Sequence, residues 1–233
     1  MDVDLAANIE QVRTQLARAA ETSGRTAADV HLLAVSKTHS ADVIRALAQL
    51  GQVDFAESRL QEARVKIPEL PSRLRWHFIG HLQSNKARAI LSLFERIHSV
   101  DSLELLQHLA RVSAEAGVYP KVLLQVNVAG ESSKFGFAPS RLLAQLDEIL
   151  AAERLQIDGL MAIPPLAARP EISRPYFVQL RQLRDKIEAR SGIRLAHLSM
   201  GMSNDFPIAV EEGATMVRVG TALFGARGSR LLR

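Results

Sequence analysis

Eight short apolar runs of β-type composition, each followed by a stretch with helical spacing, fill this chain from Val30 to Gly225. That alternation restricts the fold more than any other feature. The runs read VHLLAVS, VDFAE, RWHFIG, RIHSV, KVLLQVNV (expected to be the longest strand), LQIDGLMAI, RLAHLSM and TMVRVG. Between them, ADVIRALAQLG ends on a glycine, and Leu142, Leu143, Leu146 and Leu150 recur at helical intervals. Asp101 and Glu104 stand in capping-box spacing and predict a helix start there. An extra helix, with Leu5, Ile9, Val12 and Leu16 on one face, precedes the first run. Strands that alternate with helices pair in parallel, and eight such units close into a single (β/α)8 barrel of the TIM type. The whole chain, residues 1–233, is expected to form one barrel domain. An open doubly wound sheet is the competing architecture, but no GxGxxG follows the first strand.

Composition narrows the function classes. With no cysteine there is no disulfide framework and no thiolate nucleophile or ligand. No run approaches the roughly 18 apolar residues of a membrane span. The acidic, amphipathic start MDVDLAANIEQ does not read as a secretory signal, so a cytoplasmic setting is expected. Net charge is +4, but basic residues alternate with acidic ones, and the densest clusters, PSRLRWHF and GARGSRLLR, are short. Aromatics are 5% of residues and do not interleave with the basic ones as a stacking platform requires, so no nucleic-acid partner is expected.

In a barrel of this kind chemistry sits at the C-terminal strand ends. In order these carry Lys37; Glu57 and Ser58; His81, Gln83 and Asn85; Asp101; Asn127; Met161 to Pro164; Ser199 to Asn204; and Gly220 with Thr221. The last two ends, LSMGMSND and VGTALFG, combine small residues, hydroxyls and a helix start, which suits a phosphate. They also suit plain tight turns. No Walker A pattern occurs, which disfavours a triphosphate. Arg218, flanked by valines, must find an acceptor, either a structural carboxylate or a ligand. Alone, Lys37 reads as a strand-end lysine reaching for water. Beside a phosphate cradle and a buried cation, a lysine amine can instead condense with an aldehyde. Aldehyde, phosphate and a ring nitrogen facing an arginine together describe pyridoxal phosphate. His77 and His81 are four apart but lie on a strand entering a loop and lack HExxH, so no metal is expected. No clustered carboxylate supports a Ser-His-Asp triad.

The motifs AVSKTH, WHFIGHLQSNK, VDSLE, QVNVAGESSKFGF, GLMAI, LSMGMSND and GATMVRVGTALFGAR are collinear, and the likeness they carry runs from about residue 5 to 227. In them the chain resembles the pyridoxal 5'-phosphate homeostasis proteins of the YggS/PROSC type. The resemblance implies a barrel like the N-terminal domain of alanine racemase and the fold-type III enzymes. It makes Lys37 the Schiff-base lysine, a covalent aldimine to pyridoxal 5'-phosphate. It implies that Ser199, Gly220 and Thr221 hold the phosphate, that Met200 and Gly201 shape that loop, and that Arg218 faces the pyridine nitrogen. Asn127, His81, Asn85 and Met161 would line the pocket. The chain departs from the family pattern at Ala56 and Ser58, where glycine and asparagine are usual, and reads MSND where MSDD is commoner.

An arginine against the ring nitrogen weakens the electron sink that amino-acid chemistry needs. Racemases of this fold add a second domain and a tyrosine base. A 233-residue chain is expected to lack such a domain, and neither Tyr119 nor Tyr176 falls at a strand end. The expectation is thus a monomeric carrier and regulator of the vitamin with no catalytic residues, serving pyridoxal-phosphate-dependent apoenzymes. A weak racemase is the alternative, and a barrel enzyme joining Lys37 to a sugar phosphate is a further one.

Overall fold

The computed structural model describes residues 2–131, 134–225 and 230–231. Eight parallel strands form a closed barrel. They are β1 (His31–Val35), β2 (Asp54–Glu57), β3 (Arg75–Phe78), β4 (Arg96–Val100), β5 (Lys121–Val126), β6 (Gln156–Ala162), β7 (His197–Met202) and β8 (Met216–Val219). Each strand pairs with the next, and β8 closes on β1 through His31↔Met216 to Ala34↔Val219. The longest strand is β6 with seven residues, not β5 with six.

Alternation along the strands sorts side chains between two environments. Ala34, Phe55, Trp76, Phe78, Ile97, Val122, Leu124, Leu160, Leu198 and Val217 face outward into one large core shared with the helices. Leu33, Val35, Ala56, Leu123, Met161 and Met216 face inward as a second, smaller cluster. The inward positions also carry polar groups: His77, His98, Ser199 and Arg218 are all buried.

The Leu5–Thr22 helix is capped by Asp4, whose side chain accepts from the Ala6 and Ala7 amides at 3.0 Å. Its Asn8 side chain donates to the Leu223 carbonyl at 2.9 Å, bracing the short Thr221–Phe224 helix after β8. The helix after β4 is capped by Ser102, which accepts from the Leu105 amide at 3.2 Å, not by Asp101. Asp101 is drawn away by His81, 3.3 Å distant. The helix expected between Pro139 and Leu150 is broken at Gln145. Asp2–Val3 pairs in parallel with Arg230–Leu231, a contact the sequence pattern does not predict. Residues 226–229, 232 and 233 of the basic GARGSRLLR cluster lie outside the described residues, as do Ser132 and Ser133 of the QVNVAGESSKFGF motif.

Candidate functional site

The chain leaves β1 through Ser36, which is fully buried, into Lys37, which is exposed. The Ser36 amide donates to the Ala56 carbonyl at 3.0 Å, and the His39 amide to the Ser36 carbonyl at 3.1 Å. Inside this turn Thr38 takes φ 70°, a conformation that β-branched residues adopt only when neighbours impose it. The imposing neighbour is Glu62, which accepts from the Thr38 amide at 2.7 Å. Glu62 is held in turn by Lys66 at 2.8 Å, and the same ammonium reaches Glu57 at 3.0 Å and the Ser36 carbonyl at 3.2 Å. Glu57 is wholly buried; burial pushes its carboxyl up, against the pull of Lys66 and the Ser36 hydroxyl. The strained turn that presents Lys37 is thus pinned from below by an ion network. Lys37 itself stands exposed at the rim.

Lys37 opens into a cavity of about 350 Å³ at the C-terminal mouth of the barrel. Its polar lining includes Lys37, His39, Ser58, Ser203, Asn204, Asp205, Arg218, Gly220 and Thr221, and its apolar lining includes Val35, Ile79, Ile163 and Pro165. His39 stacks on Phe224 with ring centroids 4.4 Å apart, and burial, helped by Lys66, lowers its pKa.

At the far end Ser203, not Ser199, faces the β8 turn. Its Oγ accepts from the Gly220 and Ala222 amides, each at 3.2 Å. The cause is a register shift between Ser199 and Met202. Met200 is buried in the outer core. Gly201 follows at φ 90°, and a Cβ there would lie 2.5 Å from Ala209 Cβ and 3.0 Å from Phe206 Cα. Two successive residues therefore face the helices, and the chain re-enters the cavity at Met202 and Ser203. Met200 and Gly201 shape this loop from outside, without touching the cavity.

Arg218 is buried yet reaches the cavity. Nη1 donates to the Ser199 carbonyl and hydroxyl at 2.7 Å each, and Nη2 to the Ala162 carbonyl at 2.9 Å. Among the described residues no carboxylate pairs with it, so the structural-carboxylate alternative is set aside. Burial brings the guanidinium down to about 10, with Asp205 pulling it up, so it stays a cation at neutral pH. Of its five donors, Nε–H and one Nη2–H have no protein acceptor among the described residues.

Four expected pocket residues lie elsewhere. His81 is an exposed partner of Asp101, stacked on Phe135 at 3.8 Å. Asn85 is exposed in the Ser84–Lys86 turn. Asn127 donates to the Glu131 and Lys134 carbonyls at 2.8 and 3.3 Å, which ties down its own loop. Met161 is fully buried within the barrel beside Leu33 and Leu123. Lys37, Arg218, Gly220 and Thr221 do converge. Sequence reasoning missed His39, inside the motif of Lys37, and within the Ser199 to Asn204 strand end it gave the phosphate to Ser199 and not to Ser203.

A closed parallel barrel with a lysine after β1, small-residue turns after β7 and β8 and a buried arginine between them is an architecture of the alanine racemase N-terminal class. The family described as "Alanine racemase, N-terminal domain" matches residues 5–228. The chain is 46% identical to the pyridoxal phosphate homeostasis protein of Pseudomonas aeruginosa over 96% of each chain. It is 40% identical to that of Escherichia coli K12, over 96% of this chain and 97% of the other. PipY of Synechococcus elongatus PCC7942, solved with PLP bound, superposes with TM-score 0.84 at 41% identity, covering 95% of this chain and all of PipY. Alanine racemase of Clostridium difficile 630 shares the fold alone, with TM-score 0.72 at 17% identity, over 97% of this chain and 56% of the racemase. The chain belongs to the pyridoxal phosphate homeostasis protein family.

Proposed function

We propose that the cavity binds pyridoxal 5'-phosphate, with the aldehyde carbon held by Lys37 as a Schiff base. The residues present suit that group. Gly220 and Ala222 offer two amides and Ser203 a hydroxyl to the phosphate, in place of the expected Ser199. Arg218 has unused donors for a ring nitrogen, and about 350 Å³ suits a small phosphorylated ring. PipY, solved with PLP bound, adds support from a relative of nearly the same length. The observation that carries the reading is the convergence of Lys37, Arg218 and the Gly220–Thr221 turn on one cavity.

When bound, the cofactor supplies an electrophilic aldehyde and an electron-withdrawing ring. The chain's own groups bind and orient it: Lys37 holds, Arg218 donates to the ring, and the β7 and β8 turns grip the phosphate. Neither Tyr119, 65% exposed, nor Tyr176 lines the cavity. The function best supported is that of a cytoplasmic carrier, one barrel domain over residues 1–233, monomeric. It would limit free pyridoxal phosphate, deliver it to apoenzymes that need it, and so regulate vitamin B6 and amino-acid homeostasis without strong catalysis. Purified protein titrated with pyridoxal phosphate should develop a visible absorption band that Lys37→Ala abolishes. An identical band in Lys37→Ala, or a colourless protein that retains a sugar phosphate, would overturn the assignment.

His39 favours a second reading, weak racemisation, because a half-buried imidazole kept neutral can accept a proton. Exchange of the alanine α-hydrogen for deuterium at enzymic rates, lost in His39→Ala, would establish it.

A further inference from the structure

A line of buried polar side chains crosses the barrel interior from the cavity towards the opposite face. It begins at Arg218, whose Nη1 lies 2.7 Å from Ser199 Oγ. Ser199 Oγ is 2.9 Å from His98 Nδ1, and His98 Nε2 is 3.0 Å from His77 Nδ1. His77 Nε2 then faces Asp54 Oδ1 at 3.5 Å. Asp54 is clamped by Arg75, with Nε and Nη2 at 2.6 and 2.7 Å from its two oxygens. Every member from Arg218 to Asp54 is at most 7% exposed. Polar groups so placed are costly if unpaired, so their protons must be ordered.

The order follows from the two ends. A guanidinium can only donate, and an ionised carboxylate can only accept. Ser199 Oγ accepts from Arg218, so its own hydrogen goes to His98 Nδ1. His98 therefore carries its proton on Nε2 and donates it to His77 Nδ1. His77 likewise carries its proton on Nε2, directed at Asp54. The reverse order would set the bare Nε2 lone pair of His77 against the Asp54 carboxylate and leave the Ser199 hydrogen unused. Burial lowers the pKa of both imidazoles, in keeping with neutral tautomers. Asp54 sits well below the usual carboxylate range: burial works to raise it, but bonds from His31, His77 and Arg75 outweigh that.

We propose that Ser199, His98 and His77 are positioning residues that lock Arg218 through this one-directional chain, fixing how its remaining N–H groups meet a ring nitrogen in the cavity. The consequence for the ring rests on the pyridoxal phosphate reading above; the chain itself does not. Ser199 thus serves the arginine and not the phosphate. Loss of its hydroxyl leaves the guanidinium on the Ser199 and Ala162 carbonyls alone, a looser hold, and deprives His98 Nδ1 of its donor.

Two measurements test this. Long-range 1H–15N spectra of histidine-labelled protein, with no cofactor added, should show His77 and His98 both protonated at Nε2. In Ser199→Ala the His98 Nδ1 resonance should move to that of an unbonded nitrogen. A δ-protonated or doubly protonated ring at either position in the wild type overturns the chain. Loaded with pyridoxal phosphate, Ser199→Ala should keep its attachment at Lys37 but bind about 10-fold more weakly, with a shifted absorption maximum. A spectrum and affinity equal to wild type would overturn the positioning role even if the tautomers are as stated. If the wild type takes up no pyridoxal phosphate while the tautomers hold, the cofactor reading fails and the chain stands.

Discussion

The Ser203 hydroxyl, set between the Gly220 and Ala222 amides, shows how one side chain can keep the turn after β8 in shape. Those amides open the Thr221–Phe224 helix and have no intrahelical acceptor. Ser203→Ala should therefore destabilise the cofactor-free protein by about 1 kcal/mol, as loss of a helix cap does, a fall of roughly 2–4 °C in Tm. Cofactor should raise the Tm of Ser203→Ala less than that of the wild type, because the variant lacks the hydroxyl offered to the phosphate. Equal shifts by differential scanning fluorimetry would argue against that placement. At this scale the sequence was partly legible. A lysine leaving an apolar run and an arginine between valines declared themselves by being in the wrong place for their type. Ser199 and Ser203 did not: both are serines in one motif, and which one meets the cavity depends on a backbone irregularity that residue identity does not encode.

That irregularity belongs to the strand. Between Ser199 and Met202 the pairing of β7 with β8 slips, and Gly201 at φ 90° lets the chain press against Phe206 and Ala209. Gly201→Ala would set a Cβ 2.5 Å from Ala209 Cβ in a conformation that favours glycine. We expect it to cost about 1–3 kcal/mol in urea unfolding and to weaken cofactor binding by moving Ser203. A variant with unchanged affinity would show that the cradle does not depend on this bend. The eight strands and their helices were legible because alternating periods of about 2 and 3.6 survive in the apolar pattern. Helix starts were less so: Asp101 has the composition of a cap but is taken by His81, and Ser102 caps instead. His81 and Asn85 share a motif with pocket-forming strands, yet the loop carries them to the surface, a matter of tertiary path and not of residue type.

At the scale of the whole molecule, the barrel interior is apolar in one cluster and polar along the line from Arg218 to Asp54. Neutral buried histidines make stability depend on pH. Burial lowers the pKa of His77 and His98, and that of His197 to about 4, against 6.5 when unfolded. Below about 6.5 the unfolded chain binds protons that the native state refuses, so stability is full above that pH and falls towards about pH 4. Urea midpoints should decline across that window, and His197→Gln should flatten part of the slope. A midpoint constant from pH 6.5 down to about 4 would contradict the neutral assignment. Covalent attachment of the cofactor depends on Lys37, which a strained turn and the Lys66 network hold at the cavity rim. Its most direct test is mass spectrometry of protein loaded with pyridoxal phosphate, reduced with borohydride and digested. One pyridoxyl-phosphate adduct is expected, on the peptide carrying Lys37; an unmodified Lys37 peptide, with the adduct absent or on another lysine, would contradict the role of Lys37.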